Sequence, residues 1–292
     1  MFSKSAWGVF LLLLPGLGAM GFGAAPEAPV DGFFVPIFST AGVKIGDVRG
    51  SKTEPMAHGE NTRLHGICVR FFDGAGRVQM VVGGTEALLN LSEQEISGNE
   101  FVHVAGELFT ALSTRWKIYG PARRVVMDRD VRVFFEIGID DTVEGECGPG
   151  SDGRYTLITS ASLQILSNSD STIFDFTGQT EVLSGDFAMT CDALSVQSLS
   201  DGFWIIPGRL AGNGKIQKID AHGNISALWG DKSLQADSCE IYPEENVVIL
   251  SGNVHIGNEK GSITGGKFIL RSGLCQMITD TANMELPTFP LP

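Results

Sequence analysis

The chain has 292 residues, 43% of them apolar, with 37 glycines and 18 phenylalanines, which is enough for one large β domain or two smaller ones. Its formal charge of −13 argues against nonspecific binding to nucleic acid. No stretch holds a helical apolar period beyond a few turns, so strands and turns are expected throughout; Thr85 to Gln94 fits a short helix or a strand nearly equally.

Lys4 is followed by an uncharged run from Ser5 to Ala25 with an apolar centre, Trp7 to Leu14, that Pro15-Gly16 interrupts. A small-residue region ending Gly23-Ala24-Ala25 completes the pattern of a secretory signal cut after Ala25. The run is also long enough to span a bilayer as an uncleaved anchor. The short apolar centre favours cleavage, and either way the remainder is exported. Pro26 to Pro36 then reads as a flexible lead.

Folded structure is expected to start with a turn and strand in Phe38 to Gly50. Leu64 to Phe72 reads as a strand, Asp73-Gly74-Ala75-Gly76 as a hairpin turn, and Arg77 to Val82 as the returning strand, ended by Gly83-Gly84. Ser97 to Glu100 is a further turn. Val131, Val133, Phe135, Ile137 and Ile139 alternate onto one face. Asp140 to Gly153 is dense in turn formers and acid, a candidate boundary or long loop. Its Asp140, Asp141, Glu144 and Glu146 lack the ligand order of a calcium-binding loop, and a solvated acidic loop is the plainer reading.

Beyond it, Tyr155, Leu157, Thr159, Ala161, Leu163 and Ile165 alternate with mostly hydroxyl and amide residues, as in a sheet with one wet side. A strand unit then recurs around Gly178-Gln179, Gly223-Asn224 and Gly252-Asn253, with Asp201 to Leu210 as an insertion. The clearest copy runs from Val247 to Leu270: strand, Gly-Asn, strand, turn, strand. Such repeats argue for stacked units that bury each other's apolar faces. Pro287 to Pro292 reads as a loose tail.

Little in the chain points to catalysis. His58, His65, His103, His222 and His255 make no metal-binding pattern, and no nucleophile elbow, phosphate loop or paired-carboxylate motif occurs. No enzyme activity, cofactor or metal is expected. Cys68, Cys147, Cys191, Cys239 and Cys275 are odd in number and widely spaced; buried thiols are the plain reading, and disulfides remain open in an exported chain. Charge is uneven: Arg115, Lys117, Arg123, Arg124, Arg129 and Arg132 cluster, whereas Val133 to Gly208 holds twelve acidic residues and one basic.

The second half resembles the OstA-like family, the periplasmic lipopolysaccharide-transport proteins of the LptA type. The resemblance lies in A-H-G-N-I at Ala221 to Ile225, A-D-S-C-E-I-Y-P-E-E-N-V-V-I-L-S-G-N-V at Ala236 to Val254, and I-T-G-G-K-F-I-L at Ile263 to Leu270. The first half is more distantly similar to the LptC type, through S-T-A-G-V-K-I at Ser39 to Ile45 and the run from Trp116 to Val133. The resemblance implies a signal at residues 1–25, an LptC-like β domain at 26–145, an OstA-like domain at 146–285 and a tail at 286–292. The implied fold is an all-β, repetitive antiparallel β-jellyroll, or folded-over "β-taco", of stacked short strands. Its interior would hold the acyl chains of lipopolysaccharide or a similar glycolipid. Edge strands would pair with other β-jellyroll transport proteins, bridging from an inner-membrane complex to the outer membrane.

Expected lining residues are Phe135, Ile137, Leu157, Leu163, Ile165, Phe176, Leu194, Val196, Ile225, Ile241, Ile249, Val254, Ile256, Phe268 and Leu270. Expected phosphate contacts are Arg115, Lys117, Arg123 and Arg124, with a solvated strand pair as the plainer account of these cations. The rivals are a structural β-solenoid that assembles through its edges without lipid, and a carbohydrate-active enzyme on a β-helix. Large aromatics filling the interior would favour the former; the acidic bias is the sole support for the latter.

Overall fold

A computed structural model describes residues 30–39, 41–56, 61–90, 92–136, 155–168, 170–199, 204–206, 209–211, 215–245, 247–271, 276–279 and 282–285. The expected signal, the loop at 140–153 and the tail lie outside these residues. The fold is all-β and jellyroll-like, with twenty strands in a single antiparallel sheet. It opens with four long strands, β1 (Val30–Phe38), β2 (Lys44–Pro55), β3 (Asn61–Phe72) and β4 (Val78–Asn90). Then come paired short strands: β5 (Glu95–Gly98) with β6 (Val102–Gly106), β7 (Phe109–Ser113) with β8 (Arg115–Tyr119), β9 (Arg124–Arg129) with β10 (Val131–Phe135), and β11 (Thr156–Ser160) with β12 (Ser162–Ser167). Long strands resume as β13 (Ser171–Ser184) and β14 (Phe187–Leu199). A separate two-stranded hairpin, β15 (Trp204–Ile206) and β16 (Arg209–Ala211), follows. β17 (Lys215–Trp229), β18 (Lys232–Tyr242), β19 (Val247–Asn258), β20 (Gly261–Arg271), β21 (Gln276–Thr279) and β22 (Ala282–Glu285) are the last of the described strands.

The pairing makes this a meander of bent rungs. β6 and β5 pair with the two halves of β4, and β7 and β8 continue from them. β10 and β9 come next, then β11 and β12, and both of these pair with the single long β13. Each pair of short strands is thus one rung broken at its middle. The breaks align into one corner line, along which the sheet folds into two arms. Phe109 and Phe135 lie on one arm and Phe174 on the other, and they meet edge-on with centroids 4.6 and 5.1 Å apart. The interior is therefore closed by side chains reaching across the fold. One apolar cluster runs from Ile37 on β1 to Phe268 on β20.

The corner explains several differences from the sequence reading. Gly-Asn was expected to separate strands, yet Gly223-Asn224 and Gly252-Asn253 lie inside β17 and β19, as Gly178-Gln179 lies inside β13. Both residues of each pair take positive φ, from 44° to 77°, which turns the strand through the corner without ending it. Gly83-Gly84 likewise does not end β4, which settles Thr85 to Asn90 as strand. Backbone groups freed at the bend are recaptured locally. Ala161 N–H donates to Gly178 C=O at 3.0 Å, Ser113 Oγ to Arg129 C=O at 2.7 Å, and Trp116 Nε1 to Glu100 C=O at 3.1 Å.

Two further readings change. The lead expected to be flexible contains β1, which pairs with β2 from Val30↔Thr53 to Phe38↔Lys44. The expected division at 145/146 falls between β10 and β11, which pair directly over Val131↔Ser160 to Phe135↔Thr156, so sheet and core continue across it. Asp73 makes the expected hairpin turn, its backbone N–H donating to Arg77 C=O at 2.9 Å. Among the described residues no helix is long and apolar enough to cross a membrane.

Candidate functional site

The candidate site is the apolar interior between the arms, together with the charged groups on its outer wall. Most of the expected lining faces inward. Phe135, Leu163, Ile165, Phe176, Leu194, Val196, Ile225, Ile241, Val254 and Phe268 are buried, and Ile256 and Leu270 pack partly buried against the same cluster. Ile137 lies outside the described residues. Leu157 and Ile249 are corrections: each is half-buried on the outer face, while their neighbours Ile158 and Leu250 point inward. For Leu157 the cause is the corner. Burial steps from Ile158 to Leu163, an odd interval, so a period of two carried through Ala161 inverts the face. For Ile249 the inward parity is the same on both sides of the Gly-Asn bend, Val248 and Leu250 before it and Val254 and Ile256 after it, so strict alternation places Ile249 outward.

The lining changes character along the sheet. In the middle rungs, Phe135, Phe174, Phe176 and Trp116 are almost wholly covered. From β17 onward small inward residues, Ala221, Ala227, Ala236 and Cys239, stand among larger buried ones, Ile219, Ile225, Leu250 and Phe268. At the C-terminal rungs Val248, Ile256, Ile263 and Leu270 are only partly covered. The lips also differ. Arg123, on the turn between β8 and β9, is half-buried, and burial pulls its guanidinium below the usual value; Asp73, on the β3–β4 turn of the other arm, supports the charge.

Those positions scatter the expected phosphate contacts. Arg115 lies 3.9 Å from Asp128, and Lys117 pairs with Glu95 at 3.1 Å. Both edge a surface groove shared with Arg63, Glu86 and Glu100. Arg124 stacks over the Tyr119 ring at 4.2 Å, roughly 13 Å along β8 from Arg115. Arg123 is half-buried on the turn between β8 and β9. The four do not converge on one anion.

A tighter cationic cluster escaped the sequence reading. Asp47, fully buried on the outer face, accepts two 2.8 Å bonds from Arg70, with Lys44 and Arg49 each 3.5 Å away. Burial alone would raise the Asp47 carboxyl, but the Arg70 hydrogen bonds and the charges of Arg70, Arg49 and Lys44 hold it below its ordinary value. Only strand pairing assembles the group: Asp47 faces Arg70 across β2–β3, and Arg49 faces Phe34 across β1–β2. Alternation puts Asp47 and Arg49 on one face, which was the available signal; Lys44 joins them through the register shift where it pairs with Phe38.

Cys68, Cys191 and Cys239 are free thiols. Burial pushes Cys191 to about 11 and Cys239 to about 12, so both stay protonated and poorly reactive at neutral pH. Cys147 and Cys275 lie outside the described residues. Among the described residues no cluster of His, Cys, Asp and Glu could hold a metal ion. No protein-family model matches the chain, and no curated protein matches it at a significant level.

Proposed function

We propose that the chain is an exported, non-enzymatic carrier that takes the acyl chains of a lipopolysaccharide-like glycolipid between its arms and passes it across the periplasm. The observation that supports this most directly is the change in lining. The interior is packed with aromatic rings in its middle rungs, whereas at β17 to β20 small alanines and the partly covered Val248, Ile256, Ile263 and Leu270 lie among buried residues such as Ile225, Leu250 and Phe268. Acyl chains inserted there would leave water at about 0.8 kcal/mol per methylene, without any catalytic group. The two terminal rungs suit hand-over, because an unpaired strand edge can be extended by a strand of another β-sheet protein. We place the lipid's entry at the C-terminal rungs, where Val248, Ile256, Ile263 and Leu270 are only partly covered.

The test is photocrosslinking from a benzophenone side chain placed at Ile256, Leu270 or Phe174. Lipopolysaccharide adducts are expected at Ile256 and Leu270 and not at Phe174. If none of the three forms an adduct under conditions that label an authentic carrier, the reading fails. A second reading, a scaffold that assembles through its edges and carries no lipid, is favoured by the Phe109–Phe135–Phe174 contacts that fill the central interior. It predicts an absence of adducts together with concentration-dependent self-association.

A further inference from the structure

The cluster around Asp47 has more positive charge than its internal partners use. Arg70 is spent on Asp47 in a two-bond pair and is largely covered, whereas the Lys44 and Arg49 side chains are 44% and 53% exposed. Three cations share one carboxylate. Two aromatic rings are interleaved with them: Lys44 Nζ lies 5.3 Å from the Phe34 centroid and 5.2 Å from that of Phe72, and Arg49 lies 5.2 Å from Phe34. Phe34 is itself 52% exposed, and Val43, at the neighbouring turn, is 62% exposed. Apolar side chains ringed by cations, on the outer face of an edge rung, make an amphipathic surface within a chain whose net charge is −13.

We propose that this patch docks the N-terminal end of the sheet onto an anionic lipid surface. Phospholipid phosphates take the free donors of Lys44 and Arg49, and Phe34 and Val43 enter the headgroup layer. Two observations select a membrane. The first is charge complementarity: the rest of this acidic chain is repelled by an anionic bilayer, so contact is possible only where cations outnumber acids. The second is position. The patch begins on β1, soon after the uncharged run Ser5 to Ala25, which brings this end of the chain to a membrane during export as a signal and holds it there when retained as an anchor. Asp47 serves the patch as an organiser, since by fixing Arg70 it leaves the two exposed cations unspent. The patch lies on the outer face, away from the interior, so this proposal stands or falls separately from the lipid-carrying one.

The experiment is co-sedimentation of the full chain with vesicles of phosphatidylcholine alone, or with about one third phosphatidylglycerol. The wild type is expected to prefer the anionic vesicles and to lose that preference in high salt. The double variant Lys44→Gln/Arg49→Gln should weaken anionic-vesicle binding by on the order of tenfold or more, and leave phosphatidylcholine binding unchanged. The apolar N-terminal run is common to both proteins and cancels in the comparison. Equal binding of wild type to both vesicles, or a double variant that binds like wild type, overturns the proposal. Displacement by inorganic phosphate at constant ionic strength would also overturn it, by assigning the patch to small anions.

Discussion

Asp47 is a fully buried carboxylate on the outer face of a sheet, an arrangement that is unfavourable unless its charge is matched. Arg70 supplies the match with two parallel bonds, and Lys44 and Arg49 add longer-range support. Removing the carboxylate leaves three like charges within one patch. Asp47→Ala is therefore expected to destabilise the fold by about 2–3 kcal/mol, somewhat below the usual value for a broken buried pair because Arg70 keeps some access to water. The pH dependence has a definite sign. The folded carboxyl titrates below its unfolded value, so its stabilisation is complete above the ordinary Asp range near about 4 and is lost as pH falls through the lower folded value. Urea midpoints measured at neutral and acid pH should converge for wild type and Asp47→Asn as the pH drops. A gap that stays constant would remove the ion pair as its cause.

At the scale of the strand, the recurring device is a bend, and two glycines hold its sharpest copies. Gly223 and Gly252 have φ of 76° and 75°, and a Cβ on either would run into the carboxylate of Asp192 or Asp237. Those carboxylates accept hydrogen bonds from the next residue in the chain, Asn224 at 2.8 Å and Asn253 at 2.9 Å, which bracket the corner to the neighbouring rung. Gly252→Ala is thus expected to cost about 2–3 kcal/mol, combining left-handed backbone strain with a displaced Asp–Asn bond. Asn253→Ala should cost about 1 kcal/mol or less, because that bond is solvent-exposed. Thermal unfolding of the two variants checks the order; equal losses would mean that the bend tolerates a side chain.

The same bend marks how far the sequence could be read. Alternation identified the strands and most inward residues, because a period of two is a local property. The Gly-Asn repeats were visible, but whether such a pair reverses a chain or bends it depends on the neighbouring rungs. Leu157 was misplaced because the break between β11 and β12 shifts the parity, Ile249 was placed against a parity its own strand keeps, and the Asp47 cluster was missed because it spans β1 to β3.

Across the described residues, one sheet and one apolar cluster run through both of the halves read from the sequence. Each rung is stabilised by its neighbours, so stability should vary along the sheet with the quality of local packing. The central rungs hold the fully covered rings Trp116, Phe135, Phe174 and Phe176, while β1 has one neighbour and β19 and β20 enclose partly covered residues. Hydrogen exchange read by mass spectrometry should therefore find the strongest protection in β8 to β14, falling gradually towards both ends. Because β10 pairs with β11 along its length, no step is expected between them. Two plateaus of different protection, meeting between residues 136 and 155, would instead mean that the halves unfold independently. The gradient also bears on function. A carrier must open somewhere to admit its lipid, and rungs with the least interior packing open at the lowest free-energy cost. Adding lipopolysaccharide should then slow exchange in β19 and β20 and leave the central rungs unchanged. Uniform slowing along the sheet would point to general stabilisation in place of a lipid seated at the C-terminal end.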